Sequence, residues 1–163
     1  MKKFFVKYFI CTFFYFGCTS NDTAIKALQQ KVDSLQTEIN NSYKPGLGDF
    51  MISIQLHHQK LWFAGIHENW SLADFEMHEI AEALADIKTY NNDRPEATKV
   101  VMLNQPLDDV ENAIKEKNIT SFRNSFLLLT NTCNACHQAV NFSFNVVKVP
   151  DTSSFYNQSF EKK

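Results

Sequence analysis

The chain has 163 residues, enough for one domain with spare sequence at its ends. Apolar residues make up 44% and charged residues 21%, an ordinary globular balance. The formal charge is −2, so no basic surface points to nucleic acid, and 15 Phe against four Gly and four Pro favour a mostly helical, well-buried fold.

Residues 1–17 read as an export signal. Lys2, Lys3 and Lys7 precede an apolar run from Tyr8 to Gly17, too short to span a bilayer comfortably. Gly17-Cys18 then resembles a bacterial lipobox, although Tyr15 and Phe16 stand where Leu and a small residue are usual. The resemblance implies a lipidated Cys18 at the mature N-terminus, tethered to a membrane by its acyl chains. An ordinary signal peptide, with Cys18 incidental, is the other reading. Without the three lysines of residues 1–17, 13 Lys and Arg face 18 Asp and Glu, a balance of −5. If Cys18 carries lipid, Cys133 and Cys136 are the remaining thiols.

Residues 18–48 hold the lipidated terminus, an amphipathic helix and a linker. Ile25, Leu28, Val32, Leu35 and Ile39 alternate steps of three and four, with polar residues between. β-Branched residues at one core position and Leu at the other favour parallel pairs. The stripe spans about two and a half heptads, so it is marginal alone. Either a homodimer through residues 25–39 or a lid on the domain would cover it. Pro45, Gly46 and Gly48 mark the linker.

Residues 49–140 read as four helices, over 49–67, 71–90, 106–117 and 120–140. Phe50, Met51, Ile54, Leu61 and Phe63 make the first densely apolar, with Leu56 and Trp62 widening the face. Ser71 and Asp74 suggest a capped start for the second, whose stripe is Leu72, Phe75, Ile80, Leu84 and Ile87. Pro106 with Asp108 and Asp109 suits the start of the third. Phe122, Phe126, Leu129 and Cys133 share a face of the fourth. The expected fold is all-α, an antiparallel four-helix bundle. Residues 141–163 alternate and then turn polar. They read as an extended tail draped on the bundle, anchored by Phe142, Phe144, Phe155 and Phe160.

The last helix carries Cys133-Asn-Ala-Cys136-His137. C-x-x-C-H is a haem attachment signature. Each thiol can add to one vinyl group, and His137 can ligate the iron, so the implied cofactor is one covalent haem c. Zinc wants four ligands, and no second cysteine pair is present. Thiol redox chemistry places C-x-x-C at a strand-to-helix turn, and this chain lacks the βαβ pattern.

The late position of the pentad resembles the class II cytochromes c, the cytochrome c-prime type, in which the C-terminal helix of a bundle holds haem. The wider pattern, from "MISIQLHHQKLWFAGIHENW" through "CNACH" to "FYNQSF", also resembles a group of bacterial cytochrome c-like proteins of unestablished activity. The chain departs from the class II pattern in having Leu47 where an Arg is frequent, and in running 26 residues past His137.

The resemblance implies that the first helix faces the other side of the haem. Met51 is the first candidate for a sixth iron ligand there, against plain packing. His58, two turns on, is the second, with His57 pointing elsewhere. Met77 and His78 read as packing and solvation, and Glu76 and Glu79 as surface charges. The function implied is a periplasm-facing, membrane-anchored envelope cytochrome. It would pass single electrons to a redox partner protein, as an electron carrier. A gas-binding module with an open sixth site is the alternative, and a structural lipoprotein with a Cys133–Cys136 disulfide the third.

Overall fold

The computed structural model describes residues 19–155 and 157–162. The expected export signal, residues 1–17, and Cys18 lie outside the described residues. The chain divides into two units between Tyr43 and Lys44. Among the described residues, five α-helices and two short 3-10 turns make up the regular structure, with no strand.

The first unit contains α1, Thr19–Asn41. Side-chain bonds one turn apart brace it, Gln29 Nε2 to Asp33 Oδ1 at 2.8 Å and Gln36 Nε2 to Asn40 Oδ1 at 3.1 Å. Its seam residues are 49–65% exposed.

The second unit is the bundle: α2 (Leu47–Ile66), α3 (Trp70–Tyr90), α4 (Asn104–Lys115) and α5 (Ile119–Ala139). Two 3-10 turns, Pro95–Thr98 and Val100–Leu103, bridge α3 to α4. The links between α2 and α3 and between α4 and α5 are three residues each, which forces antiparallel neighbours. Contacts of α2 with α3, α3 with α4, α4 with α5 and α5 with α2 close the ring. The expected all-α bundle is the fold observed.

Local chemistry sets the helix ends. Asp49 accepts the Gly46 N–H at 2.8 Å and opens α2. Asn69, not Ser71, caps α3, accepting the Leu72 N–H at 3.3 Å; Ser71 already lies inside the helix. Asn118 caps α5 with bonds from the Thr120 and Ser121 N–H groups, both 3.1 Å. Three helices end in the Schellman arrangement without glycine. Glu68, Lys117 and Asn141 take positive φ of 56°, 53° and 65°. The amides that follow bond back, Asn69 to Ala64, Asn118 to Ala113 and Phe142 to His137.

The core centres on Leu61, Ile87, Val110, Phe122, Phe126 and Leu129, each essentially inaccessible. Two stripe assignments need correction. Phe75 is 54% exposed, whereas Glu76, expected at the surface, is fully buried. The stripe of α3 runs through Ala73, Met77, Ile80, Leu84 and Ile87, and Glu76 falls on it beside α2. Leu56 is also exposed.

The tail is tied to the bundle along its length. Gln59 bonds Thr152 O and Ser154 Oγ, Asn69 bonds Glu161 O, and the buried Phe160 sets its ring 5.6 Å from that of Phe63. Phe155 packs on the core. Phe144 is not an anchor: it is 79% exposed. Phe144 lies inside the turn closed by Asn145 N–H on Phe142 O, which leaves its ring in water, while Asn145 and Val147 line the cleft.

Candidate functional site

An apolar cleft lies at one end of the bundle. It has two lobes of about 280 and 210 Å³, near the lower end of the roughly 300–1,000 Å³ range of small-molecule sites. Met51, Val100, Cys136 and His137 line both lobes, and Cys133 and His58 line the larger. The walls come from four places: the first turns of α2, the middle of α3 at Leu84, the second 3-10 turn, and the last turns of α5. The tail closes a further side with Asn145 and Val147. An Arg94–Glu96 ion pair, 2.9 Å, edges the smaller lobe.

The pentad is helical throughout, so Cys133 and Cys136 stand three apart on one turn and both line the cleft. Neither is in a disulfide; Cys133 is half-buried and Cys136 buried. Burial, with Cys136 close by, pushes the Cys133 thiol up to about 12. Burial raises the Cys136 thiol as well. Both thiols are therefore protonated at neutral pH, the opposite of a nucleophilic redox pair at a helix start.

His137 places Nδ1 2.7 Å from the carbonyl oxygen of Asn145. A carbonyl only accepts, so Nδ1 carries the proton and Nε2 keeps its lone pair. That is the tautomer a metal-ligating imidazole uses, with its other nitrogen held by a backbone oxygen. Across the cleft, Met51 is half-buried. Gly48, one turn before it, has nothing described within 4 Å of where a Cβ would sit.

His58 is 4% exposed. Its Nε2 lies 2.9 Å from Thr130 Oγ1, whose own proton goes to Phe126 O at 2.9 Å. Thr130 must therefore accept, and His58 donates from Nε2. Desolvation pushes the imidazole down to about 4, so it is neutral at pH 7. As a second ligand candidate His58 is in the right wall, but its Nε2 is already engaged. Met77 is core and His78 is exposed, bonded to Asp74 O at 2.8 Å; neither lines the cleft.

Sequence reasoning passed over a buried polar knot. His57 Nδ1 sits 2.6 Å from Glu76 Oε2, with Lys60 Nζ 4.0 Å from Glu76 Oε1 and Glu79 Oε2 3.8 Å from His57 Nε2. It ties α2 to α3 away from the cleft. The available signal was the spacing of Glu76, four residues after Leu72 and four before Ile80. Asn134 and Asn145 were also passed over, and no local pattern marks them.

Among the described residues no group of three or more His, Cys, Asp and Glu is placed to hold a bare metal ion. No helix among them is long and apolar enough to cross a membrane. Comparison with family models, with curated proteins and with solved structures gives no match.

Proposed function

We propose that this chain is an exported c-type haem protein of the cell envelope, a one-electron carrier held to a membrane through lipid on Cys18. One observation carries the reading: both thiols and His137 line one wall of an apolar cleft, and Met51 lines it too, from another helix. The donor set fits the group. Cys133 and Cys136 would hold haem c by thioether bonds, and His137, with Nδ1 occupied by Asn145 and Nε2 free, would ligate its iron. Met51 is the proposed sixth ligand. When bound, the haem supplies one-electron chemistry between ferrous and ferric iron.

The chain's own residues do the rest. Leu84, Val100, Leu103 and Val147 give the cleft an apolar lining, which would favour the iron state of lower charge. Neutral His58 adds no positive charge to that wall at pH 7. A redox partner would be another envelope protein.

Expression with cytochrome c maturation machinery, followed by a pyridine haemochrome spectrum, tests the proposal. One covalent haem per chain is expected, lost in the Cys133→Ser/Cys136→Ser variant. A wild-type chain without covalent haem ends the reading. In the haem-loaded protein, a low-spin spectrum that turns high-spin in Met51→Ala supports the carrier. A high-spin wild-type spectrum with ready CO uptake moves the function to gas binding.

The exposed seam of α1 fits a second copy of this chain. Ile25, Val32 and Ile39 alternate with Leu28 and Leu35, the pairing of residue types that favours parallel dimers. Lys31 would face Gln36 across such a seam, so no like charges oppose. Sedimentation equilibrium of the mature chain should give a dimer that Leu28→Lys/Leu35→Lys dissociates. A monomeric wild-type chain would rule this out.

A further inference from the structure

The tail crosses α5 in register with the pentad. Asn134 fills the first variable position of C-N-A-C-H, and its amide pairs with Val147 twice. Asn134 Nδ2 donates to Val147 O at 2.8 Å, and Val147 N–H donates to Asn134 Oδ1 at 2.8 Å. Two residues back along the tail, Asn145 O receives the His137 Nδ1–H at 2.7 Å. Asn134 and His137 stand three apart on the helix, on one face; Asn145 and Val147 stand two apart on the tail, on one side. The near end is fixed by the helix cap, Phe142 N–H to His137 O at 2.8 Å, and by a turn, Asn145 N–H to Phe142 O at 2.9 Å. The Asn134–Val147 pair fixes the far side of Asn145.

We infer that Asn134 is a positioning residue: its amide locks the tail in register, so that the Asn145 carbonyl holds His137 as the Nδ1–H tautomer and keeps Nε2 as a ligand. The purpose rests on the proposed haem function; the geometry does not. A side chain that cannot make both bonds frees Val147, and with it the carbonyl that orients the ring. Ser, with one short hydroxyl, and Ala, with none, both lack the paired donor and acceptor.

The test needs no haem. In 15N-labelled protein without haem at mildly alkaline pH, nitrogen–carbon-bound-proton correlation spectra give the His137 tautomer. Wild type should show the Nδ1–H form alone. Asn134→Ala should show the mixed tautomers of a free imidazole. Exchange of the Val147 amide should quicken roughly thirtyfold, the loss of two ordinary hydrogen bonds. Asn134→Asp still accepts the Val147 N–H but cannot donate while ionised, so an acceleration of roughly fivefold is expected. It carries the test if the Ala variant does not fold. A wild-type tautomer together with wild-type Val147 protection in the folded variant overturns the inference. In the haem-loaded protein, Asn134→Ala should raise the midpoint potential, because the carbonyl bond makes His137 a more basic ligand. A chain that never takes up haem defeats the proposed function and leaves the tautomer measurement standing.

Discussion

Helices α2 and α5 run side by side, and the two ends of their pairing are built in opposite ways. At one end Gly65 lets the helices close completely: a Cβ there would fall 2.0 Å from the Phe122 ring. Trp62 and Phe126 lie 6.3 and 5.9 Å from that ring, and Trp70 meets it edge-on at 6.1 Å. At the other end the same helices enclose the cleft, and Gly48 faces open space. Between the two sits His58, its ring tilted against that of Phe126 with centroids 4.4 Å apart, and bonded to Thr130. The aromatic end uses residue volume to fix the helices. The cleft end withholds volume where Met51, His58, Cys133, Cys136 and His137 converge. A pair of helices can afford an open mouth when its far end is closed this tightly.

The contrast predicts where substitutions act. The largest effect belongs to Phe122→Ala, which empties a fully buried site and should cost about 3–5 kcal/mol in denaturant unfolding. A small loss would mean the aromatic end does not anchor the pair. Next comes pH, acting through His58 at the junction. Its folded pKa, about 4, is below the unfolded 6.5. Between these values the unfolded chain binds the proton and the native chain does not, so stability falls as pH drops from about 6.5 to 4. The loss should approach about 3 kcal/mol at pH 4. His58→Gln, which still donates to Thr130 but does not titrate, should remove that slope. Parallel pH curves for the two proteins would sink the assignment.

The smallest effects set the two glycines against each other. Gly65→Ala should destabilise by about 1–3 kcal/mol, since the ring it strikes is hemmed in by other aromatics. Gly48→Ala, in protein without haem, should be neutral or stabilising by up to about 1 kcal/mol, because the helix gains propensity and the methyl meets nothing. Thermal melts showing the same sign for both would erase the distinction between the two ends.

The sequence reveals the helices well and their seams less well. The four bundle helices fall within about two residues of the expected bounds, because each carries a run of apolar residues bounded by polar or breaker residues. Spacing put Met51 and His58 on one face of α2, but that this face meets the pentad was expected only from the resemblance to class II cytochromes c. Caps were harder: Glu68, Lys117 and Asn141 close their helices without the glycine that normally marks such ends. Glu76 was misplaced because a carboxylate on an apolar stripe is read as solvated unless its partner, His57 on another helix, is known. Asn134 carries no signal at all. Its role exists only after residues 13 positions apart have been brought together by the turn at Asn141.

That turn also divides the cleft's wall into two kinds of backbone. Cys133, Cys136 and His137 stand on a helix whose amides are bonded within itself, whereas Asn145 and Val147 stand on irregular chain held by side chains of that helix. A chain cut after Asn141 would keep all four bundle helices and both thiols, yet lose one wall of the cleft and the carbonyl that holds His137 Nδ1.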